Sequence, residues 1–197
     1  MTGLNDAGYA IPTTGIVAVA AVGTALPTYS VVAALAATWP AAPAGWAILG
    51  HVGTEDNTGA PEFSFDGGEV TVKGSWSKKA IRTTKSPVTD TATFSLSQID
   101  RTTLGYYYGG TGGSTAGQFD TNTTDTATDT RTAMLVLFND NGAIFGWGWS
   151  QTSVSRADTI ALSDAENPVL IPVGATILDP SSGVLKQRVY GGTIGTS

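Results

Sequence analysis

The sequence predicts a mainly β domain, an antiparallel β-sandwich or partial barrel with one α-helix. Its composition, with 25 glycines, frequent threonine and only 13% charged residues, favours strands and turns. Apolar and polar residues alternate over residues 70–76 and 90–97, which is the period of a half-buried strand. An Asn-Asp-Asn-Gly sequence at 139–142 separates two apolar runs and is a strong hairpin signal. A chain of 197 residues can build one core, so residues 1–197 are predicted to form a single domain.

The N-terminal third combines a polar start with a long uncharged stretch. Residues 1–14 are predicted to be a flexible arm, and residues 15–22 have the length and composition of a buried strand. The stretch 16–37 is long enough to cross a membrane, but Pro27 interrupts it and no Lys or Arg flanks it. We therefore expect a strand, an irregular or briefly helical segment and a short apolar run at 46–49, with no membrane span.

Two alternating strands are predicted in the middle of the chain. Val70, Val72 and Trp76 share one face of the first strand. In the second strand the inward residues are Ala92, Phe94 and Leu96. Between the two, residues 78–88 carry several bases and are predicted to be an extended loop, so that the whole region forms a long hairpin.

One helix is predicted at residues 97–108. Ser97 is the candidate N-cap, an apolar stripe follows at helical spacing, and Gly109-Gly110 ends the helix. The next segment, residues 109–130, has low complexity and is predicted to be a mobile polar loop.

The C-terminal third is predicted to supply the central hairpin of the core. Residues 133–138 are apolar on both faces, so both faces should be covered. In the return strand, Phe145, Trp147 and Trp149 share one face, which we interpret as core. Two glycines on the other face, Gly146 and Gly148, indicate a close approach of neighbouring atoms. Further strands are predicted at 159–162, 169–178 and 184–190.

The charges are unevenly distributed along the chain. The formal net charge is -6, and no Lys or Arg precedes Lys73, whereas the first 72 residues contain six acids. An acidic chain without a basic cluster is poorly suited to hold nucleic acid by its phosphates. The chain contains no cysteine, which excludes disulfides, thiol catalysis and cysteine-based zinc sites, and no basic segment of a secretory signal precedes the apolar stretch.

The residues carry no signature of an enzyme. His51 is the only histidine, and no nucleophile-elbow sequence accompanies it. Asp120-x-Asn122 begins like a calcium loop but has Asp125 where that loop needs glycine. We predict no enzymatic activity, no cofactor and no metal. Two alternatives stay open: a carbohydrate-binding or adhesin-like β module using the aromatic row, and a small hydrolase using His51 and a serine.

The order of several segments resembles the major tail (tail tube) proteins of long, non-contractile-tailed bacteriophages, above all those of actinobacterial phages. The residues that carry the resemblance are 45–51, 61–76, Ile81-Arg82-Thr83, 91–96, 104–110 and 144–149. The resemblance implies a non-enzymatic virion protein that forms hexameric rings, which stack into a tube. Each subunit would give about four strands to an inner barrel wide enough for double-stranded DNA to pass without specific binding.

The resemblance also implies partners and places for particular residues. The partners would be other copies, the tape measure protein and the tail terminator and tip proteins, in the phage tail and, during assembly, in the host cytoplasm. The candidate inter-subunit contacts are Glu62, Asp66, Glu69, Lys78, Lys79, Arg82 and Lys85. The candidate lumen-facing polar positions are Thr71, Ser75, Thr91, Thr93 and Ser95.

Overall fold

A computed structural model describes residues 10–52, 61–110, 112–113, 115–121, 130–160 and 169–191. Its strands are β1 (Thr14–Ala20), β2 (Ala47–Val52), β3 (Glu62–Gly67), β4 (Val70–Ser75), β5 (Lys78–Lys85), β6 (Val88–Leu96), β7 (Thr130–Asp140), β8 (Ala143–Arg156), β9 (Ile171–Ile177) and β10 (Gln187–Tyr190). Its helices are α1 (Tyr29–Ala34), a 3-10 turn (Leu35–Ala37) and α2 (Arg101–Tyr108).

The main sheet is antiparallel and has the strand order β2-β1-β7-β8-β9-β6-β3. The 14-residue strand β8 is the central strand of this sheet. On one of its edges, β10 pairs with the first half of β8 and β9 with the second half. The sheet curls until β2 lies against β6, where a Cβ on Gly50 would come within 2.7 Å of the Leu96 side chain. The predicted mainly β, antiparallel fold class is confirmed.

A first core fills the inside of the curl, and α2 covers it. Val17, Val136 and Val173 come from three different strands and are completely buried there. The Tyr107 hydroxyl donates to the Asp158 carbonyl at 2.8 Å, and the Thr103 hydroxyl donates to the Leu49 carbonyl at 3.4 Å. These bonds fix α2 over the core.

A second core lies on the other face of β1 and β7. Val32 of α1 and Leu35 of the 3-10 turn pack there against the strands. The segment before α1 is tied to β10, because Arg188 donates to the Leu26 and Pro27 carbonyls at 2.9 and 2.8 Å. The Tyr190 hydroxyl also donates to Pro27, and burial raises the pKa of Tyr190 to about 12.

The central hairpin matches the sequence prediction. Residues 133–137 are fully buried, because β7 lies between the two cores. Gly146 has φ +155°. A Cβ at this position would overlap the Val136 carbonyl oxygen, so the predicted close approach of neighbouring atoms is confirmed. Trp149 is buried, and Phe145 and Trp147 pack against the first core, as predicted.

The described residues contain two α-helices: α2 corresponds to the one predicted helix, and α1 lies in the stretch expected to be irregular or briefly helical. The helix α1 forms in the Ala/Val-rich stretch because Val32 and Leu35 bury against the second core, a tertiary contribution that local propensity does not show. The other helix, α2, begins at Arg101 rather than near Ser97. Its N-cap is Asp100, whose carboxylate accepts from the Thr103 N–H at 2.8 Å.

The predicted basic loop is also wrong. Residues 78–85 form strand β5, which pairs with β4, whereas β6 pairs with β3 and β9. The hairpin turn is therefore at Trp76-Ser77. The bases did not prevent a strand because β5 is exposed along its whole length and its charges remain in water.

Several other predicted segments lie partly outside the described residues. These include the arm, of which residues 1–9 are not described, and residues 161–162 of the expected strand at 159–162, whose described residues are not strand. In the polar loop, residues 115–121 pack on α2: Arg101 donates to the Thr115 carbonyl at 3.1 Å, and the rings of Phe119 and Tyr108 are 6.2 Å apart.

Candidate assembly surfaces

A long two-stranded ribbon leaves the sheet at its β3 edge. The pair β3–β6 continues as the pair β4–β5, with a junction at Gly67 and Gly68, whose φ angles are +90° and +75°. Across this junction the Gly68 N–H donates to the Pro87 carbonyl at 3.2 Å. We call residues 70–85 the hairpin. Within the described chain, its strands make no substantial contact with any other helix or strand.

The hairpin carries an uncovered apolar face. Val70, Val72 and Ile81 share this face and are 62%, 54% and 60% exposed, and Trp76 at the tip is fully exposed. The alternation predicted a half-buried strand, but no helix or strand of the described residues covers it. Because an isolated two-stranded hairpin is only marginally stable in water, this face is suited to contact another molecule.

The hairpin is strongly basic. It contains five of the ten Lys and Arg residues and no acid, so the rest of the chain has a formal charge of -11. Lys73 stands directly opposite Arg82, a like-charge pair that destabilises the hairpin by itself. Within the described residues, none of the five cations forms an ion pair. An acidic partner would therefore form ion pairs with these cations without breaking any ion pair among the described residues.

The structure brings four of the predicted contact residues together on β5, namely Lys78, Lys79, Arg82 and Lys85. Lys73 also belongs to the cations of the hairpin but is not among the predicted contact residues. Its place on the polar side of an alternating strand is the signal that indicates it. Thr71 and Ser75 also lie on the hairpin, where they pair with Thr84 and Lys78.

The other polar candidates lie on the outer face of the main sheet. Thr91, Thr93 and Ser95 are half-buried, and their alternating neighbours Ala92, Phe94 and Leu96 are buried in the first core, as predicted. Directly paired residues share a face, so cross-strand pairing extends this polar face over four strands. Its further members are Glu62, Ser64 and Asp66 on β3, Thr176 on β9 and Ser153 on β8.

This polar face has no base on β3, β6 or β9. A hydrogen bond of 2.6 Å between the Ser64 and Thr91 hydroxyls ties its edge strand to the next one. Glu62 and Asp66, predicted as contacts, thus lie beside the lumen candidates, whereas Glu69 lies at the ribbon junction, where its carbonyl accepts from the Ser86 N–H at 3.0 Å.

An aromatic groove opens beside β3 on the opposite face. It has a volume of about 290 Å³ and is lined by Phe63, Phe65, Trp147 and Trp149 together with Asp90 and Gln187. The Phe63 ring centroid is 4.9 Å from that of Trp147 and 5.7 Å from that of Trp149. Phe63 and Phe65 are 45% and 74% exposed, so the aromatic lining is open to solvent. No sequence pattern pointed to this groove, because curling of the sheet brings β3 and β8 together.

Trp147 and Trp149 of the carbohydrate-binding alternative line the aromatic groove, whereas His51 of the hydrolase alternative does not lie in it. His51 is exposed on β2, opposite Ile16 of β1. No group of three or more potential metal ligands occurs among the residues that the structure describes. In the same residues, no helix is long and apolar enough to cross a membrane.

An uncovered amphipathic hairpin, a basic segment on an acidic body and an open sheet edge are features of a structural subunit that assembles with other molecules. A family model described as phage tail tube protein matches residues 2–187, and the chain belongs to this family. The chain is 38% identical over 181 residues to the major tail protein Gp23 of Mycobacterium phage L5, covering 89% of this chain and 87% of the relative. Identity to the major tail protein Gp23 of Mycobacterium phage D29 is 36%, with the same coverage.

The family assignment confirms the resemblance drawn from the sequence. A tail tube protein has a structural role in the tail of the virion, and such a role implies oligomeric assembly with other tail components. Its family is structural, which supports a non-enzymatic role.

Proposed function

We propose that copies of this protein assemble into hexameric rings that stack into the tail tube, whose channel delivers double-stranded DNA to the host. The observation that carries the proposal is the hairpin, which exposes apolar residues and carries five cations on a chain that belongs to the tail tube family. A surface that fits a different surface of the next copy generates an open, stacked assembly.

The polar face over β3, β6, β9 and the end of β8 is the proposed lumen wall. Thr91, Thr93 and Ser95 present hydroxyl groups, which hold water, to the channel. A wall of this kind lets DNA slide because β3, β6 and β9 offer no cation for phosphate to bind, and Arg131, opposite Ser153, stands at its margin on β7. On the hairpin, Thr71 shares its face with Lys73 and Arg82, so the proposed wall does not continue onto the strands that carry Thr71 and Ser75.

The hairpin is the proposed contact between successive rings. Lys78, Lys79, Arg82 and Lys85 approach the acids at the base of a neighbouring ribbon, Glu62, Asp66 and Glu69. Charges of opposite sign steer the encounter and fix the register of the two surfaces. The tape measure protein would occupy the channel during assembly in the host cytoplasm, and terminator and tip proteins would close the two ends.

Negative-stain electron microscopy of the purified protein and of virions tests this function. Long tubes with a regular axial repeat and six-fold end views are expected. A particle that stays monomeric at all concentrations, in the presence of other tail components, would contradict the proposal.

The main rival is a carbohydrate-binding module, which the aromatic groove favours by its exposed Phe65 and its polar neighbours Asp90 and Gln187. Binding of a glycan to the monomer, without tube formation, would support this rival. The hydrolase alternative would be supported by a hydrolytic activity of the wild-type protein that is lost in His51→Ala.

A further inference from the structure

The two unexplained aromatic features of the chain lie at opposite ends of one ribbon. Trp76 is fully exposed at the hairpin tip, whereas the aromatic groove is formed at the ribbon base by Phe63 and Phe65. We propose that Trp76 of one copy inserts into the aromatic groove of the next copy. This inference rests on the proposed tube assembly and identifies the surface that binds the tip of the hairpin.

The groove has the size and chemistry for one indole ring. Its volume of about 290 Å³ is at the lower limit of small-molecule pockets, which run from about 300 to 1,000 Å³. Phe63, Phe65 and Trp147 offer ring faces and edges, and aromatic pairs gain from offset or edge-to-face contact beyond the area they bury. Trp149 also lines the groove, and its buried Nε1 has no acceptor among the described residues.

Charge complementarity specifies which surface approaches the groove. Lys78 and Lys79 follow Trp76 within three residues, and Asp90 lines the groove next to Phe65. The hairpin contains no acid, and β3 contains two acids and no base. An inserted tip therefore brings ammonium groups towards the Asp90 carboxylate, whereas Glu62 and Asp66 lie on the other face of β3.

The occupant must come from a second copy. Phe65 and Trp76 are eleven residues apart along a paired ribbon, which is about 36 Å at 3.3 Å per residue. A paired ribbon of this length cannot fold back to place its own tip in a groove at its base. The insertion is thus head-to-tail between copies.

Disulfide trapping tests the contact directly, because the wild-type chain has no cysteine. Two single variants, Trp76→Cys and Phe65→Cys, are mixed, so that each copy retains either an intact tip or an intact groove. A short bis-methanethiosulfonate, which forms a disulfide with each cysteine across the space left by the two rings, should give a covalent heterodimer of the co-assembled tubes on a non-reducing gel, since a direct disulfide requires Cβ atoms about 4 Å apart. Each variant alone, and Trp76→Cys mixed with the exposed control Val184→Cys, should give far less.

Assembly measurements supply the second readout. Trp76→Ala should raise the critical concentration for tube formation at least tenfold, and Trp76→Phe should recover most of the loss, while both monomers unfold in urea as the wild type does. Wild-type tubes combined with no heterodimer and an unchanged critical concentration for Trp76→Ala would overturn the groove contact but leave the proposed function intact. Absence of tubes from the wild-type protein would overturn both.

The sugar alternative has its own readout. Cellohexaose and chitohexaose are titrated against the monomer while tryptophan fluorescence is recorded. No change is expected. A saturable change that Phe65→Ala abolishes and Trp76→Ala retains would assign the groove to a saccharide and overturn the contact.

Discussion

The apolar face of the hairpin should contribute to assembly and not to the stability of the single chain. We consider the double variant Val72→Thr/Ile81→Thr, which keeps two β-branched residues and therefore the tendency to form strands. Both side chains lie on the face that the other described residues leave uncovered, and they are 54% and 60% exposed.

The magnitude follows from those exposed fractions. Complete burial of an aliphatic side chain is worth about 1.5–3 kcal/mol, so covering the exposed parts of Val70, Val72 and Ile81 would stabilise a contact by about 3–5 kcal/mol. Replacing two of the three by threonine should remove about 2–3 kcal/mol of this. The critical concentration should then rise roughly 30- to 150-fold, since about 1.4 kcal/mol corresponds to a factor of ten.

Two measurements separate assembly from folding. The critical concentration is obtained by sedimenting tubes over a dilution series, and the free energy of unfolding by urea denaturation of the unassembled chain. Val184→Thr is the matched control, because Val184 is 48% exposed and lies outside the hairpin. The control should leave both quantities close to those of the wild type.

An unchanged critical concentration for the double variant would refute the reasoning, since it would mean that the face stays in water in the assembled state. A large loss of unfolding free energy in the unassembled chain would refute it differently, by showing that the face is covered within the single chain.

Three further predictions address charge, packing and pH. Arg82→Glu/Lys85→Glu should raise the critical concentration and weaken its dependence on NaCl in sedimentation assays; equal salt dependence in variant and wild type would argue against charge pairing. Gly146→Ala should cost more than about 4 kcal/mol in urea denaturation because its Cβ would lie 2.1 Å from a backbone oxygen, whereas Gly183→Ala, with φ +86° and no close neighbour, should cost about 1 kcal/mol. Burial raises the pKa of Tyr190 to about 12 against about 10 in the unfolded chain, so the unfolding free energy should fall as pH rises from about 10 to 12. Tyr190→Phe should reduce that fall and cost about 1 kcal/mol at neutral pH for the lost bond to Pro27; an identical pH profile would contradict the assignment.

The parts of the fold that local patterns determine were predictable. Asn-Asp-Asn-Gly at 139–142 set the central hairpin, and the alternation at 90–97 showed which side chains of β6 enter the core. The errors arose where distant contacts decide. The sequence predicts a loop where strand β5 forms, because residues 78–88 carry several bases. Nothing local shows that β6 pairs with β3 and β9 rather than β4.

The candidate surfaces were likewise predictable only where their residues are close together in sequence. The bases of β5 were recognised as contact candidates because their clustering is visible along the chain. The aromatic groove was not, because Phe63 and Trp147 are more than eighty residues apart in sequence and meet only when the sheet curls.

The ribbon also has a consequence for how a filament of this protein is terminated. Its tip is basic and ends in an indole, whereas its base is acidic and concave, so any stack that repeats one orientation has two unlike ends. One end displays free hairpins, and the other displays vacant grooves. If the tip inserts into the groove as proposed, a protein that blocks growth at the first end must present an acidic, aromatic recess, and one that blocks the second must present a basic, protruding turn. Growth and arrest at the two ends can therefore be controlled independently, by proteins that do not compete with each other.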